Sequence, residues 1–221
     1  MILNLNDLDV SDIYDFTRLF DDMKECTINA CLWDMKSAGK LNYIFSKCKK
    51  TIKIFADFWN LENVEDISGM FYNTKADIRI DLSTLTNKIT TLRCTFYGCN
   101  VDKILKQAPY LDVSNVKDMY NTFKSTPFNY DISHWDVRNL KTFGDIFCES
   151  KFNKDISKWR LDNFDTYSEL KEWTKRDVNQ SNIIEMLKEY MYGRIYEKDK
   201  NGNYTGNYEI PNKSYPYSAI H

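Results

Sequence analysis

The 221-residue chain has few of the residues that usually break, cross-link or charge a polypeptide. It contains seven glycines, four prolines and two histidines, and its 30 basic and 32 acidic side chains give a net charge of −2. Because there is no excess of positive charge, we do not expect nucleic-acid binding through general electrostatic attraction. The two histidines, one of them the terminal His221, disfavour a histidine-rich metal site and most histidine-based catalysis.

Long apolar runs are also missing. The first residues, MILNLNDLDVSD, contain neither a basic region followed by an apolar stretch nor a small-residue cleavage site, so they do not predict a secretory signal. No run approaches the roughly 18 apolar residues of a membrane-spanning helix. We therefore expect no membrane insertion, and we favour a cytoplasmic or virion-associated protein over one at the cell surface.

The cysteines form no recognisable metal or redox motif. None of the six belongs to a C-x-x-C pair, and no second histidine is placed to complete a zinc site with them. With 43% hydrophobic residues, a chain of this length can bury a core without disulfide cross-links. We expect reduced, buried thiols that behave as small hydrophobic side chains, and no bound metal.

The chain does contain an internal repeat. Phenylalanines recur at intervals of 25, 26, 25, 27 and 24 residues, at Phe20, Phe45, Phe71, Phe96, Phe123 and Phe147. The units also carry an L-x-x-L-x-L frame ahead of the phenylalanine, as in Ile132, Trp135 and Val137. Repeats of roughly 20–29 residues in this frame predict a solenoid, in which each unit buries its apolar face against its neighbours.

Each unit predicts a short strand, a tight turn and about two helical turns. The L-x-x-L-x-L portion has apolar residues two apart, as in a strand. A residue suited to helix capping follows, such as Asn139, and apolar residues then recur at helical spacing, as in Leu140, Phe143 and Phe147. The expected fold is α/β: a leucine-rich-repeat-like strand–helix solenoid of about six to seven 24–27-residue repeats over residues 1–164.

The two clearest units span residues 111–134 and 135–158, and they support a family resemblance. They contain the pieces W-D-V-x-N and F-N-x-D-I-S-x-W, at Phe128-Asn129, Asp131-Ile132-Ser133, Trp135-Asp136-Val137, Phe152-Asn153, Asp155-Ile156-Ser157 and Trp159. These pieces resemble the BspA-like leucine-rich-repeat family, also described as the mycoplasma-type lipoprotein repeat. The resemblance implies a right-handed solenoid that binds other proteins or surfaces. Its members are commonly bacterial surface proteins, with similar repeats in protists and large viruses.

Two segments depart from the regular repeat. Around residues 81–96 the strand half needs a small shift to stay in register. Residues 165–192 predict a helical cap for the open end of the solenoid, or alternatively a helix that docks on a partner. Residues 193–221 predict a β-hairpin at Asn201-Gly202, followed by a tail that is either disordered or an extended arm ordered by a neighbouring subunit.

The sequence contains no recognised catalytic motif, such as a Gly-rich phosphate loop, G-x-S-x-G or H-E-x-x-H. Asp112 and Asp136 occupy the same place in successive units, which indicates turn bonding rather than a catalytic dyad. The tryptophans lie on the inward frame, which favours a core role over a sugar-binding ladder: Trp33, Trp59, Trp135 and Trp159. We therefore expect no enzymatic activity and no cofactor. An enzyme with an unrecognised site is a third hypothesis, after the two that follow.

A candidate binding face follows from the frame. Its second, third and fifth positions point away from the core, and we expect stacked units to align them as a sheet surface. With a tryptophan outside the frame, the candidate partner-binding residues are Ser133, His134, Asp136, Ser157, Lys158, Arg160 and Trp173. Their mixed charge suits another protein better than a nucleic acid or an apolar ligand, although mere solvation is an equally open reading.

Two functions remain to be distinguished. The first is a non-enzymatic protein–protein interaction module built on the solenoid. The alternative is a structural component of a larger assembly, such as a virion or surface layer, which associates with other subunits through residues 193–221.

Overall fold

The strands in the described part of the chain form one parallel sheet in sequence order. A computed structural model describes residues 2–156 and 158–160. Its strands are β1 (Ile2–Asn4), β2 (Thr27–Asn29), β3 (Lys53–Ala56) and β4 (Asp77–Ile80), arranged β1-β2-β3-β4. Each strand pairs with the equivalent residues of the next unit, as Leu3 with Ile28, Ile28 with Ile54 and Ile54 with Ile78.

The strands lie earlier in each unit than the sequence pattern predicted. β3 and β4 end at Ala56 and Ile80, the first apolar positions of their frames, and the remainder of each frame forms turns. Side chains within the frame hold these turns, because Asp112 and Asp136 accept the N–H groups of Ser114 and Arg138 at 3.0 and 3.2 Å. Local bonding of this kind competes with strand pairing. The turn-bonding role expected for these acids is confirmed.

The segments predicted to be helical are spirals of tight turns, so that prediction is wrong for the described units. Some backbone N–H groups donate to the carbonyl oxygen three residues earlier in the same unit, as the N–H of Leu19 does to the carbonyl oxygen of Phe16. Alternate N–H groups instead donate to the next unit at 2.9 to 3.0 Å, from Phe16 to Lys40, Arg18 to Asn42 and Phe20 to Ile44.

This alternation places two residues of each unit in left-handed backbone. Their φ values lie between 52° and 63°, and the members of a pair are four residues apart: Arg18 and Asp22, Tyr43 and Lys47, Gly69 and Asn73, Cys94 and Gly98, Asn121 and Ser125, and Asp145 and Glu149. A left-handed non-glycine residue costs about 1–2 kcal/mol. All of these residues except the last pair donate backbone bonds to the next unit, as Arg18 and Tyr43 do, and these bonds offset that cost.

Asn139, which was predicted to cap a helix, and its equivalents in two other units bond to the preceding unit instead. The side-chain amides of Asn63, Asn115 and Asn139 donate to backbone carbonyl oxygens 25 to 28 residues earlier, at 2.7 to 2.9 Å. Single parallel bridges then link the units at the position three residues after these asparagines, along Asp15, Lys40, Asp66, Thr91, Asp118 and Thr142.

A column of stacked phenylalanines occupies the core. All six repeat phenylalanines are buried, and neighbouring rings have centroids 5.3 to 6.1 Å apart. The rings of Phe123 and Phe147 are 5.9 Å apart and inclined by 5°. Their predicted burial and stacking are therefore confirmed.

The four tryptophans of the frame are buried in the core, as predicted, and they stack in two pairs. Trp33 stacks on Trp59 at 5.9 Å, and Trp135 stacks on Trp159 at 6.1 Å. Each of these four indole N–H groups donates to a backbone carbonyl oxygen in the preceding unit, at 2.7 to 3.1 Å. Burial of the indole rings thus leaves no N–H group without a partner.

The helical elements coincide with the irregular part of the repeat. The pairing of Ala56 with Ile80 spans 24 residues, whereas that of Asp66 with Thr91 spans 25, so one extra residue enters between them. A 3-10 turn at Leu82–Thr84 accommodates it, in the segment where a shift was expected. The other helical elements of the described residues are α1 (Asp102–Leu105) and a 3-10 turn at Ala108–Tyr110.

Several predictions fall beyond the described part of the chain. The helical cap at 165–192 and the hairpin and tail at 193–221 lie outside residues 2–156 and 158–160. Within those described ranges, every helix is too short or too polar to reach across a bilayer.

The phenylalanine column generates a stability prediction. Phe123→Ala should lower the free energy of unfolding by about 3–5 kcal/mol, because it removes a fully buried ring. Urea titration followed by circular dichroism measures this loss. Phe58→Ala is the matched control, since its ring is 72% exposed and should cost under about 1 kcal/mol. Equal losses in the two variants would contradict the core register.

Candidate functional site

The predicted partner-binding residues lie on turns rather than on a sheet surface. Ser133 and His134 form the turn that the N–H of Trp135 closes on the carbonyl oxygen of Ile132 at 3.1 Å. β4 is the last strand of the described residues, so the expected sheet surface is wrong at this place. His134 is exposed, as predicted, and its Nε2 lies 2.9 Å from the carbonyl oxygen of Pro109.

The charged members of the predicted face differ in how firmly they are held. Asp136 accepts the N–H of Arg138 and forms an ion pair with its guanidinium at 2.6 Å. The side-chain bond from Arg138 holds the pKa of Asp136 below its usual range. Lys158 and Arg160 are exposed, while Ser157 and Trp173 lie outside the described residues. Asp136 is therefore held by bonds within its own turn, whereas Lys158 and Arg160 are exposed at the surface.

Sequence reasoning missed the apolar members of the same turn position. In earlier units, the residue that precedes the buried tryptophan or leucine of the frame is Leu32, Phe58 or Tyr110, and these are 65%, 72% and 82% exposed. His134 and Lys158 occupy this position in the later units. We call these five residues the turn ridge. The frame gave a usable signal, because it marks the position as outward while Leu32 and Phe58 are strongly apolar.

A cleft of about 270 Å³ lies beside β4. Residues 78–81 line one side, and Asp57, Lys103, Lys106 and Gln107 complete it. Gln107 is fixed there, because its Oε1 accepts the N–H of Leu82 at 2.9 Å and its Nε2 donates to the carbonyl oxygen of Ile80 at 3.2 Å. Phe58 of the turn ridge directly follows Asp57 in the chain.

The cleft is lined by charged side chains of both signs. Lys103 forms an ion pair with Asp77. The guanidinium of Arg79 lies 4.8 Å from the centroid of the Phe55 ring, and both Arg79 and Lys106 are exposed. Neither of these two cations forms an ion pair with an acid in the described part of the chain.

Comparison with known proteins places the chain in a family. The family model described as "Mycoplasma protein of unknown function, DUF285" matches residues 2–102 and again residues 79–186. The chain belongs to this family. The DUF285 match confirms the Mycoplasma part of the sequence resemblance and assigns no activity. A search of curated proteins and a search of solved structures each found no match.

The cysteines of this DUF285 chain are all free thiols. Burial raises the pKa of Cys48 to about 11 and that of Cys99 to about 12. The thiol of Cys48 also donates to the carbonyl oxygen of Phe20 at 3.0 Å. Across the described residues, no group of three or more histidines, cysteines and acids is placed to hold a metal ion.

Thiol reactivity provides a second prediction. At pH 8 the native protein should alkylate far more slowly at Cys48 and Cys99 than at the half-buried Cys31, because a raised pKa leaves little of the reactive thiolate. Mass spectrometry after timed iodoacetamide treatment measures each site. Denatured protein should yield all six thiols. Fewer than six thiols in the denatured protein would contradict the assignment of free cysteines. Equal alkylation rates at Cys31 and Cys48 in the native protein would contradict the burial of Cys48.

Proposed function

We propose that this protein is a non-enzymatic protein–protein interaction module built on a leucine-rich-repeat-like solenoid of the BspA-like kind. Three features support the solenoid. The strands follow sequence order in a parallel sheet, single bridges link six successive units, and the phenylalanines stack in one column. In such a fold each unit contacts only its neighbours, so equivalent positions line up along the surface.

The observation that carries the proposal is the exposed apolar side of the turn ridge. Leu32 and Phe58 occupy equivalent positions of adjacent units whose paired strands lie about 4.8 Å apart. Tyr110 adds a second aromatic side chain at this position. Apolar side chains are often exposed singly, but recurrence at one structural position is typical of a contact surface, where aromatic residues are enriched.

The chemistry of the ridge supports binding rather than catalysis. Its one histidine, His134, is held through Nε2 at 2.9 Å from the Pro109 carbonyl oxygen. Tyr110, His134 and Lys158 follow Leu32 and Phe58 along the chain, so the ridge passes from an apolar end to a polar, charged end. That arrangement resembles a protein interface more than a nucleic-acid groove lined with cations.

A pair of ridge substitutions tests the proposal. Phe58→Ser combined with Tyr110→Ser should weaken binding about tenfold or more for each aromatic side chain removed. The partner for this measurement is first selected with the unaltered chain from a displayed library of protein domains, and calorimetry then gives Kd. Lys158→Glu with Arg160→Glu should weaken binding less and reduce its salt dependence.

The control is Ile13→Ser with Leu19→Ser, which removes apolar side chains that are 42% and 49% exposed but lie off the ridge. It should leave Kd unchanged. A folded ridge variant that binds as tightly as the unaltered chain would refute the proposal. The assembly hypothesis, which depends on residues 193–221, concerns a region outside the described residues.

A further inference from the structure

The first unit, residues 2–25, has a neighbouring unit on one side only within the described part of the chain. Four of its apolar side chains occupy positions that are buried in the second unit. Leu3 pairs with Ile28, and the 25-residue offset of the Asp15–Lys40 bridge relates the other three. Their exposed fractions are 40–55%, against 0–4% for their counterparts: Leu3, Leu8, Ile13 and Leu19, against Ile28, Trp33, Ala38 and Ile44. We call the surface of these four first-unit residues the leading end.

The first unit also has backbone acceptors without a donor. In the spirals of tight turns, N–H groups of one unit donate to carbonyl oxygens of the next. The second unit receives four such bonds at 2.8 to 3.0 Å, on the oxygens of Lys40, Asn42, Ile44 and Ser46. Their counterparts in the first unit accept no bond from any described residue: Asp15, Thr17, Leu19 and Asp21. The spiral therefore presents a row of four acceptors beside the apolar leading end, and a ligand must bring donors to satisfy them.

The side chains of the first unit are strongly acidic. Residues 1–25 contain seven acids and two basic residues, although the net charge of the whole chain is only −2. Arg18 is already paired with Asp21. Asp12 and Asp22 are exposed and form no ion pair with a described residue. Carboxylates and carbonyl oxygens together make this end of the stack electronegative.

We propose that the leading end binds a basic segment of a partner protein that also carries apolar side chains. The apolar side chains cover the four exposed core positions, since exposed apolar patches with a polar surround mark interaction sites. Arginine or lysine side chains and backbone N–H groups of the segment donate to the carboxylates and to the free carbonyl oxygens. The leading end shares no residue with the turn ridge, and the proposal does not rest on the function proposed for that ridge.

The same charges disfavour other occupants. Two leading ends placed face to face would bring acids against acids and acceptors against acceptors, and like-charge contacts at an interface cost several kcal/mol. A nucleic acid or an anionic lipid surface would be repelled for the same reason. A basic protein segment suits both the apolar side chains and the acceptors.

The test uses the full chain and a synthetic peptide, acetyl-RLKVRLKVR-amide, with two matched control peptides. The acidic control, acetyl-ELEVELEVE-amide, reverses the charge, and the polar control, acetyl-RSKSRSKSR-amide, removes the apolar side chains. Calorimetry measures Kd, and both controls should bind at least about tenfold more weakly. In methyl nuclear magnetic resonance, the basic peptide should shift the signals of Leu3, Leu8, Ile13 and Leu19. The signal of Leu140, which is buried in a distant unit, should not move.

Protein variants locate the contact. Leu8→Ser with Leu19→Ser should weaken binding of the basic peptide about tenfold or more, and its control is Phe58→Ser with Tyr110→Ser on the turn ridge. Asp12→Lys with Asp22→Lys should weaken it similarly and remove its salt dependence. Lysine is tolerated at the left-handed position of Asp22, because Lys47 occupies that position in the second unit. The charge-matched control is Asp57→Lys with Glu62→Lys, which alters exposed acids of the third unit.

Several results would overturn the proposal. They are no binding of the basic peptide, equal binding of either control peptide, and equal binding by the folded Leu8, Leu19 or Asp12, Asp22 variants. Sedimentation velocity tests a second copy as the occupant: self-association that Leu8→Ser with Leu19→Ser abolishes would replace the partner segment. The turn ridge is judged separately, because Phe58→Ser with Tyr110→Ser should weaken its selected partner and leave binding of the basic peptide unchanged.

Discussion

The architecture depends on backbone N–H groups that donate to carbonyl oxygens of the next unit rather than of their own. Arg18 donates to Asn42 and Tyr43 to Ser68 from left-handed backbone, and residues without it, such as Phe20, donate to the next unit as well. One such bond contributes only about 0.5–1.5 kcal/mol net. Because these bonds are repeated through successive units and act together with the stacked phenylalanines, their combined contribution determines the fold. The ridge and the cleft are both consequences, because the bonds fix which residues share a row.

The phenylalanine interval was sufficient to predict the register of the core. Phe123 and Phe147 stack as expected because a repeat that buries one ring places the next ring directly on it. The interval could not reveal how the backbone travels between rings. Apolar residues three and four apart suit a helix, but a spiral with a left-handed residue at every fourth position buries the same side chains. Gly69 and Gly98, at two of these positions, were the available hint.

The candidate surfaces were predictable to different degrees. The frame identified the outward position of His134 and Lys158, and the same rule applied to Leu32 and Phe58 leads to the turn ridge. The cleft beside β4 was beyond such reasoning. It arises because residues 102–105 become helical where earlier units continue as strand, and this local choice has no signature in the repeat pattern. Pairing between segments far apart in the sequence decides whether residues 102–105 form a strand or a helix.

The direction of the inter-unit bonds has a mechanical consequence. They run along the stack, so tension applied to the two ends of the chain loads them lengthwise and concentrates on the outermost unit. Units then peel away singly instead of rupturing together. Each released unit of about 25 residues spans roughly 80–90 Å when fully extended. A protein of this design yields gradually under load and absorbs work in steps of repeat size.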